Sequence, residues 1–230
     1  MTERQAAILT AIIELYAKTA EPVGSQALVE AFEASSATIR AEMAELEAGG
    51  YIKQPHISAG RIPTDKGYRA YVNAIDEARA DGRVSQVIAK RVNSAGEIDR
   101  ALKQAAESLS EVTQNVGIAT TSDGLFFTGL ATLFGQPEFF GGHQAYEVAR
   151  LLDHLDEWLS EAAPTDRVSV FIGRENPIGK SSGASLILAR FSSPYSDNSY
   201  VGVLGSTRQN YNRVIGLVGY TGRLLEEALA

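Results

Sequence analysis

Cysteine is absent from all 230 residues, which removes disulfides, thiol catalysis and cysteine-rich zinc sites. Histidine is scarce: His56, His143 and His154 are the three present, and none has a partner set at metal-ligand spacing. No apolar run approaches the roughly 18 residues of a membrane span. The polar stretch before Ile8 lacks the basic and apolar regions of a secretion signal. Motif spacing assembles no nucleophile with its base and orienting group, and no coherent carboxylate pair, so an enzyme is a weak reading. Neither a cofactor nor a metal is expected, no membrane partner is expected, and the expected compartment is the cytoplasm. With 44% hydrophobic and 21% charged residues, the chain has no disorder signature, and its length allows two domains, the first of them small.

Positive charge is also in short supply, since the formal net charge is −7. Phosphates respond to the face presented to them more than to the total. Between Lys53 and Arg69 stand Lys53, His56, Arg61, Lys66 and Arg69 against the single acid Asp65. A basic edge on an acidic protein suits specific DNA binding with little non-specific adsorption. The alternative is a solvated loop that happens to be basic.

The residues around this edge describe a winged helix-turn-helix. Arg4 to Lys18 carries Ile8, Ala11, Ile12 and Leu15 at helical spacing, and Glu21-Pro22 stops that helix. Ser25 is a candidate N-cap for a short helix with Leu28 and Phe32 facing the core. Ser35 caps a further helix whose buried stripe is Ile39, Met43 and Leu46, leaving Ser36, Ala37, Thr38 and Arg40 near its exposed N-terminal part. Small residues allow close approach to a major groove, Thr brings a hydroxyl and a methyl, and Arg forks to guanine. Ordinary capping chemistry explains Ser-Ser-Ala-Thr equally well when taken alone. Gly49-Gly50 ends the helix, Tyr51-Ile52 begin a strand, Pro55 to Pro63 makes a turn-rich wing, and Thr64 caps a closing helix. For His56 two readings stay open, a groove or phosphate contact and a plain loop histidine. The candidate DNA-contacting set is Ser25, Ser35, Ser36, Ala37, Thr38, Arg40, Lys53, His56, Arg61, Lys66 and Arg69.

From Ser35 to Tyr71 the chain reads SSATIR, MAELE, GY, QPH and SAGRIPTDKGYR. Later come LSEVTQNVGIATT (Leu109 to Thr121), LATLFGQPEF (Leu130 to Phe139), FIGRENPI (Phe171 to Ile178) and VGVLGSTRQNYNRVIGLVGYTGRLL (Val201 to Leu225). In these segments, and in their order, the sequence resembles the bacterial heat-inducible transcription repressor family, HrcA. The resemblance implies an N-terminal winged helix followed by a GAF-like domain with an inserted dimerisation segment. It implies a homodimer binding an inverted-repeat operator in double-stranded DNA upstream of chaperone genes, kept active by a GroEL-type chaperonin. One departure stands out. Family members carry a long stretch between the segments resembling VGIATT and LFFTGLATLFGQPEF, whereas here only Ser122-Asp123-Gly124 intervenes. The expectation is therefore an α+β protein with a reduced GAF-like second domain and an altered dimer interface.

The expected organisation is a DNA-binding domain over 1–75, a helical connector over 76–110 and a reduced GAF-like domain over 111–230. Ile98 to Leu109 and Asn212 to Leu225 read as helices, and Gln144 to Leu159 as one amphipathic helix. Strands are expected at Val116 to Thr120, Arg167 to Gly173, Leu186 to Phe191 and Tyr200 to Gly205. The loop GRENPIGKSSG holds Arg174, Glu175 and Lys180 among glycines, but it lacks the upstream glycine of a P-loop and a convincing magnesium acid. The favoured function is a sequence-specific repressor of heat-shock genes. The alternative is a metabolite- or nucleotide-responsive transcription factor with a pocket in the second domain, and a protein-interaction winged helix is less favoured.

Overall fold

A computed structural model describes residues 1–76 and 78–229. The chain divides into two units, Met1–Asp76 with Arg208–Asn210, and Glu77–Thr207 with Tyr211–Ala230.

In the first unit, helix α1 (Glu3–Thr19) opens on a capping box in which Thr2 and Gln5 each accept from the other's backbone N–H. Its apolar stripe buries Ile8, Leu9, Ile12 and Ile13. A single 3-10 turn, Ser25–Leu28, runs into the short α2 (Val29–Phe32), which stops where Glu33 takes a left-handed φ of 46°. Helix α3 (Ser36–Ala48) then buries Ile39, Met43 and Leu46 and packs on α1 and on the 3-10 turn. Strands β1 (Ile52–Lys53) and β2 (Ile62–Pro63) pair antiparallel, and Val23 bridges Arg61 with hydrogen bonds of 2.9 and 2.8 Å in the two directions. Helix α4 (Asp65–Asn73), capped by the Thr64 hydroxyl, returns the chain against α1. Burial, and then the nearby Glu14 carboxylate, push the Tyr71 phenol on α4 above its ordinary pKa.

The second unit begins with α5 (Gly82–Asn93) and α6 (Ile98–Thr113), two amphipathic helices packed on each other. A five-stranded antiparallel sheet follows, in the spatial order β4-β3-β7-β6-β5, built from β3 (Val116–Thr121), β4 (Gly124–Thr128), β5 (Val168–Ile172), β6 (Ala184–Ser193) and β7 (Ser196–Ser206). Strand alternation divides its two faces. Val116 and Ile118, with Ala184, Leu186 and Leu188, join a core with residues of α7 (Leu130–Phe134), α8 (Gly142–Asp153) and α9 (Leu155–Ala162). The intervening residues face α6 and α10 (Tyr211–Leu229), as shown by Gly117 against Ala106 and Ala189 against Gly222. The sheet is thus covered on both sides.

Two differences from the sequence reading have local causes. Gln144 to Leu159 forms two helices, because the N–H of His154 turns to the Leu152 carbonyl and breaks the α-helical ladder. The break keeps Leu151, Leu152, Leu155 and Leu159 all buried in one core. The β6–β7 strands extend further than the apolar runs, leaving only Pro194-Tyr195 between them. Ser122-Asp123 forms a tight turn that lets β3 and β4 pair directly from Gly117↔Thr128 to Thr121↔Gly124. Asp99 on α6 tethers this turn by accepting from both the hydroxyl and the N–H of Ser122, which hold its carboxyl below the usual range.

The close approach of β3 to α6 can be tested. A methyl group at Gly117 would overlap the Ala106 carbonyl oxygen. Gly117→Ala should cost about 1–3 kcal/mol of stability, as overpacking does, read from the urea midpoint of the second unit. An unchanged midpoint would show that strand and helix are not in backbone contact.

Candidate nucleic-acid interface

The N-terminal turn of α3 is organised by Ser35. Its hydroxyl accepts the Thr38 N–H at 3.1 Å and shares a 2.9 Å hydrogen bond with the Thr38 hydroxyl. Ser25 and Ser36 share a further hydroxyl hydrogen bond of 2.8 Å, which fixes the 3-10 turn to the start of α3. With Ile39 fully buried, Ala37, Thr38 and Arg40 are exposed, while Ser25 and Ser36 are half-covered. The Arg40 Nε donates to the Ser36 carbonyl at 3.3 Å. Its two Nη groups have no protein partner among the described residues, so the fork remains open to an acceptor pair outside.

The wing is held by a glutamate that the sequence reading passed over. Glu47, in the last turn of α3, accepts the Gln54 N–H through Oε1 at 3.0 Å and the Arg61 Nε through Oε2 at 2.9 Å. One carboxylate therefore ties the recognition helix to both sides of the wing. Gln54 closes the loop further by donating its side-chain amide to the Ala59 carbonyl at 3.0 Å, and Ala59 N–H turns back to His56. Ser58 adopts a left-handed φ of 69° in that turn. The loop tip then carries His56 and Ile57, the latter 93% exposed. An acid at a helix C-terminus opposes the macrodipole. That misplaced charge was the available signal that Glu47 has a partner.

The candidate cations fall into two kinds. Lys53 and His56 are exposed, and their side chains have no partner among the described residues. Arg61 is engaged by Glu47 and donates an Nη1 bond to Ala59 at 3.4 Å. Lys66 donates to the Gly49 carbonyl at 2.7 Å and lies 4.5 Å above the Tyr51 ring, so it caps the end of α3. Arg69 is half-buried on α4. Thr64 completes the junction, donating to the Gly50 carbonyl at 2.7 Å while it accepts the Gly67 N–H. The fold thus brings Ser25, Ser35, Ser36, Ala37, Thr38 and Arg40 together at one end of α3. It gathers Lys53, His56 and Arg61 on the wing at the other end.

Among the described residues no cluster of histidines, cysteines and acids could hold a metal ion, and no helix is long and apolar enough to cross a membrane.

These elements define a winged helix-turn-helix joined to an α+β domain. Residues 1–76 match the winged helix-turn-helix transcription repressor, HrcA DNA-binding, and residues 61–215 match the HrcA protein C-terminal domain. The chain belongs to the HrcA family of transcriptional repressors. It is 40% identical over 119 residues to the heat-inducible transcription repressor HrcA of Mycobacteroides abscessus, a match covering 50% of this chain and 35% of that protein. It is 44% identical over 123 residues to the HrcA of Alkaliphilus metalliredigens, covering 52% of this chain and 36% of the relative. The matched stretch therefore spans about a third of each relative's length. The fold is also similar to a solved structure of a hypothetical protein, with a TM-score of 0.83 and 20% identity over 100% of this chain and 98% of that one.

The Glu47 junction makes a prediction that needs no DNA. Glu47→Ala should speed amide exchange at Gln54 and Ala59 while costing only about 1 kcal/mol in global stability, since the pair is partly exposed. Protection unchanged at Gln54 would show that the wing is held by other contacts.

Proposed function

We propose that this chain is a sequence-specific, DNA-binding repressor of heat-shock and chaperone genes, acting as a homodimer on an inverted-repeat operator in the cytoplasm. The observation that carries the reading is the paired presentation of an open Arg40 fork at the start of α3 and unpartnered Lys53 and His56 on a stapled wing. A helix N-terminus with small side chains enters a major groove, and a wing lies along sugar-phosphate beside it. Membership of the HrcA family supports the same conclusion. Two-fold symmetry in the operator would match two copies of the reader. A GroEL-type chaperonin is the proposed partner that keeps the repressor active, so that a load of unfolded protein, by occupying the chaperonin, relieves repression.

Ser36, Ala37, Thr38 and Arg40 would address base edges, with Ser25 and Ser35 holding that turn in position. Lys53 and His56 would contact the backbone. Arg61, Lys66 and Arg69 support them, Arg61 and Lys66 chiefly by fixing the wing and the end of α3.

The test is fluorescence anisotropy with inverted-repeat and scrambled duplexes over a range of salt, with and without chaperonin. Arg40→Ala should reduce the preference for the operator by about 1–3 kcal/mol; equal losses on both duplexes would remove its base-reading role. Lys53→Ala should weaken both and lower the salt slope by about one. Arg61→Ala should change that slope less, because Glu47 already offsets its charge. Folded protein that prefers neither duplex would overturn the proposal.

A further inference from the structure

The loop between β5 and β6, GRENPIGKSSG, is not used by the DNA reader. In the second unit it forms one wall of a cleft of about 490 Å³, with α8 as the other wall. That volume lies in the range of small-molecule sites, roughly 300–1,000 Å³.

The loop is a built structure. Asn176 is fully buried, and its side-chain amide donates to the Gly173 carbonyl at 2.8 Å and the Ala184 carbonyl at 2.7 Å, closing the loop at its base. The Ser182 N–H turns back to the Gly179 carbonyl at 2.9 Å. Gly179 has a left-handed φ of 65°, and a Cβ there would come within 2.6 Å of the Glu147 carbonyl oxygen. Only glycine allows the loop to sit this close to α8.

Charge in the cleft runs against that of the chain. Arg150, Arg174 and Lys180 line it with one acid, Glu147, in a protein whose net charge is −7. Glu147 is already paired with Arg150 at 3.1 Å. Glu175 does not line the cleft, and its carboxylate accepts the Ile172 N–H at 2.9 Å. Pro177 and Ile178 add an apolar patch beside the cations. A cleft lined by three cations next to apolar surface suits an organic phosphate better than a neutral ligand.

We propose that this cleft binds a small, multiply charged phosphorylated molecule, held by Arg174, Lys180 and Arg150. It would be recognised by ion pairing and without a P-loop. The inference does not rest on the DNA-binding reading.

The full chain is titrated with pyrophosphate, with ADP, and with adenosine as the uncharged control, by calorimetry at constant ionic strength. Pyrophosphate and ADP should bind saturably and adenosine should not. Arg174→Glu and Lys180→Glu should each weaken pyrophosphate binding roughly tenfold or more, with unchanged circular dichroism expected because both side chains are exposed. The milder Lys180→Gln should weaken it in the same direction and serves if a charge reversal disturbs folding. Arg40→Ala and Arg167→Glu, which change cations outside the cleft, should leave it unchanged. Absence of saturable binding, or equal weakening by Arg40→Ala or Arg167→Glu, would overturn the proposal.

Discussion

The link between α3 and the wing runs through one carboxylate. Glu47 sits where the macrodipole of α3 disfavours an acid by about 0.3–1 kcal/mol, and it is offset there by the Arg61 guanidinium and the Gln54 N–H. The consequence is mechanical. A base-reading helix and a backbone-contacting wing are useful together only if the distance between them is fixed, because each must meet its groove in the same register. Lys66 on the Gly49 carbonyl and Thr64 on the Gly50 carbonyl secure the same corner from the α4 side. The end of α3 is therefore a joint with several independent ties, whereas its beginning keeps the Arg40 fork open.

This division explains how a chain with net charge −7 can present a basic face. Cations that hold the scaffold have much of their charge offset or directed inward, as with Arg61 on Glu47 and Lys66 on a carbonyl and a ring. In the proposed reading the cations left for phosphate are few, chiefly the exposed Lys53. A small number of phosphate contacts gives a shallow salt dependence and weak attraction to random sequence. Under the proposed function, more of the discrimination then falls on the turn that carries Ala37, Thr38 and Arg40.

Local signals in the sequence were sufficient for most elements of the reader, but not for Ser25. Expected as an N-cap, it lies inside the 3-10 turn after Gly24, makes no cap hydrogen bond, and shares a hydroxyl hydrogen bond with Ser36 instead. Ser35 and Thr64 announced helix starts, the Ile39–Met43–Leu46 stripe set the buried face of α3, and Gly49-Gly50 marked its end. The roles of Arg61 and Lys66 were not legible, because their partners lie 14 and 17 residues away and depend on how the wing closes. His154 escaped for a related reason. The leucine spacing across it is continuous, and only packing under the sheet requires the axis to break there. The cleft cations were likewise scattered, since Arg150 on α8 meets Arg174 and Lys180 only after the sheet has formed.

The two-residue connection between β3 and β4 falls at the edge of the sheet. Strand β4 is at the edge of the sheet, and β3 keeps its second neighbour, β7, through four paired positions from Val116↔Leu204 to Ala119↔Val201. Material inserted between an edge strand and its neighbour extends outward without separating the central pairs. A direct connection asks only for a turn, which Ser122-Asp123 supplies and Asp99 holds. The core beneath is made by Val116, Ile118, Leu186, Leu188 and Leu204 with the helices above them, and all of these residues lie outside that connection. The pairings that hold the centre of the second unit's sheet therefore do not depend on the length of the β3–β4 connection.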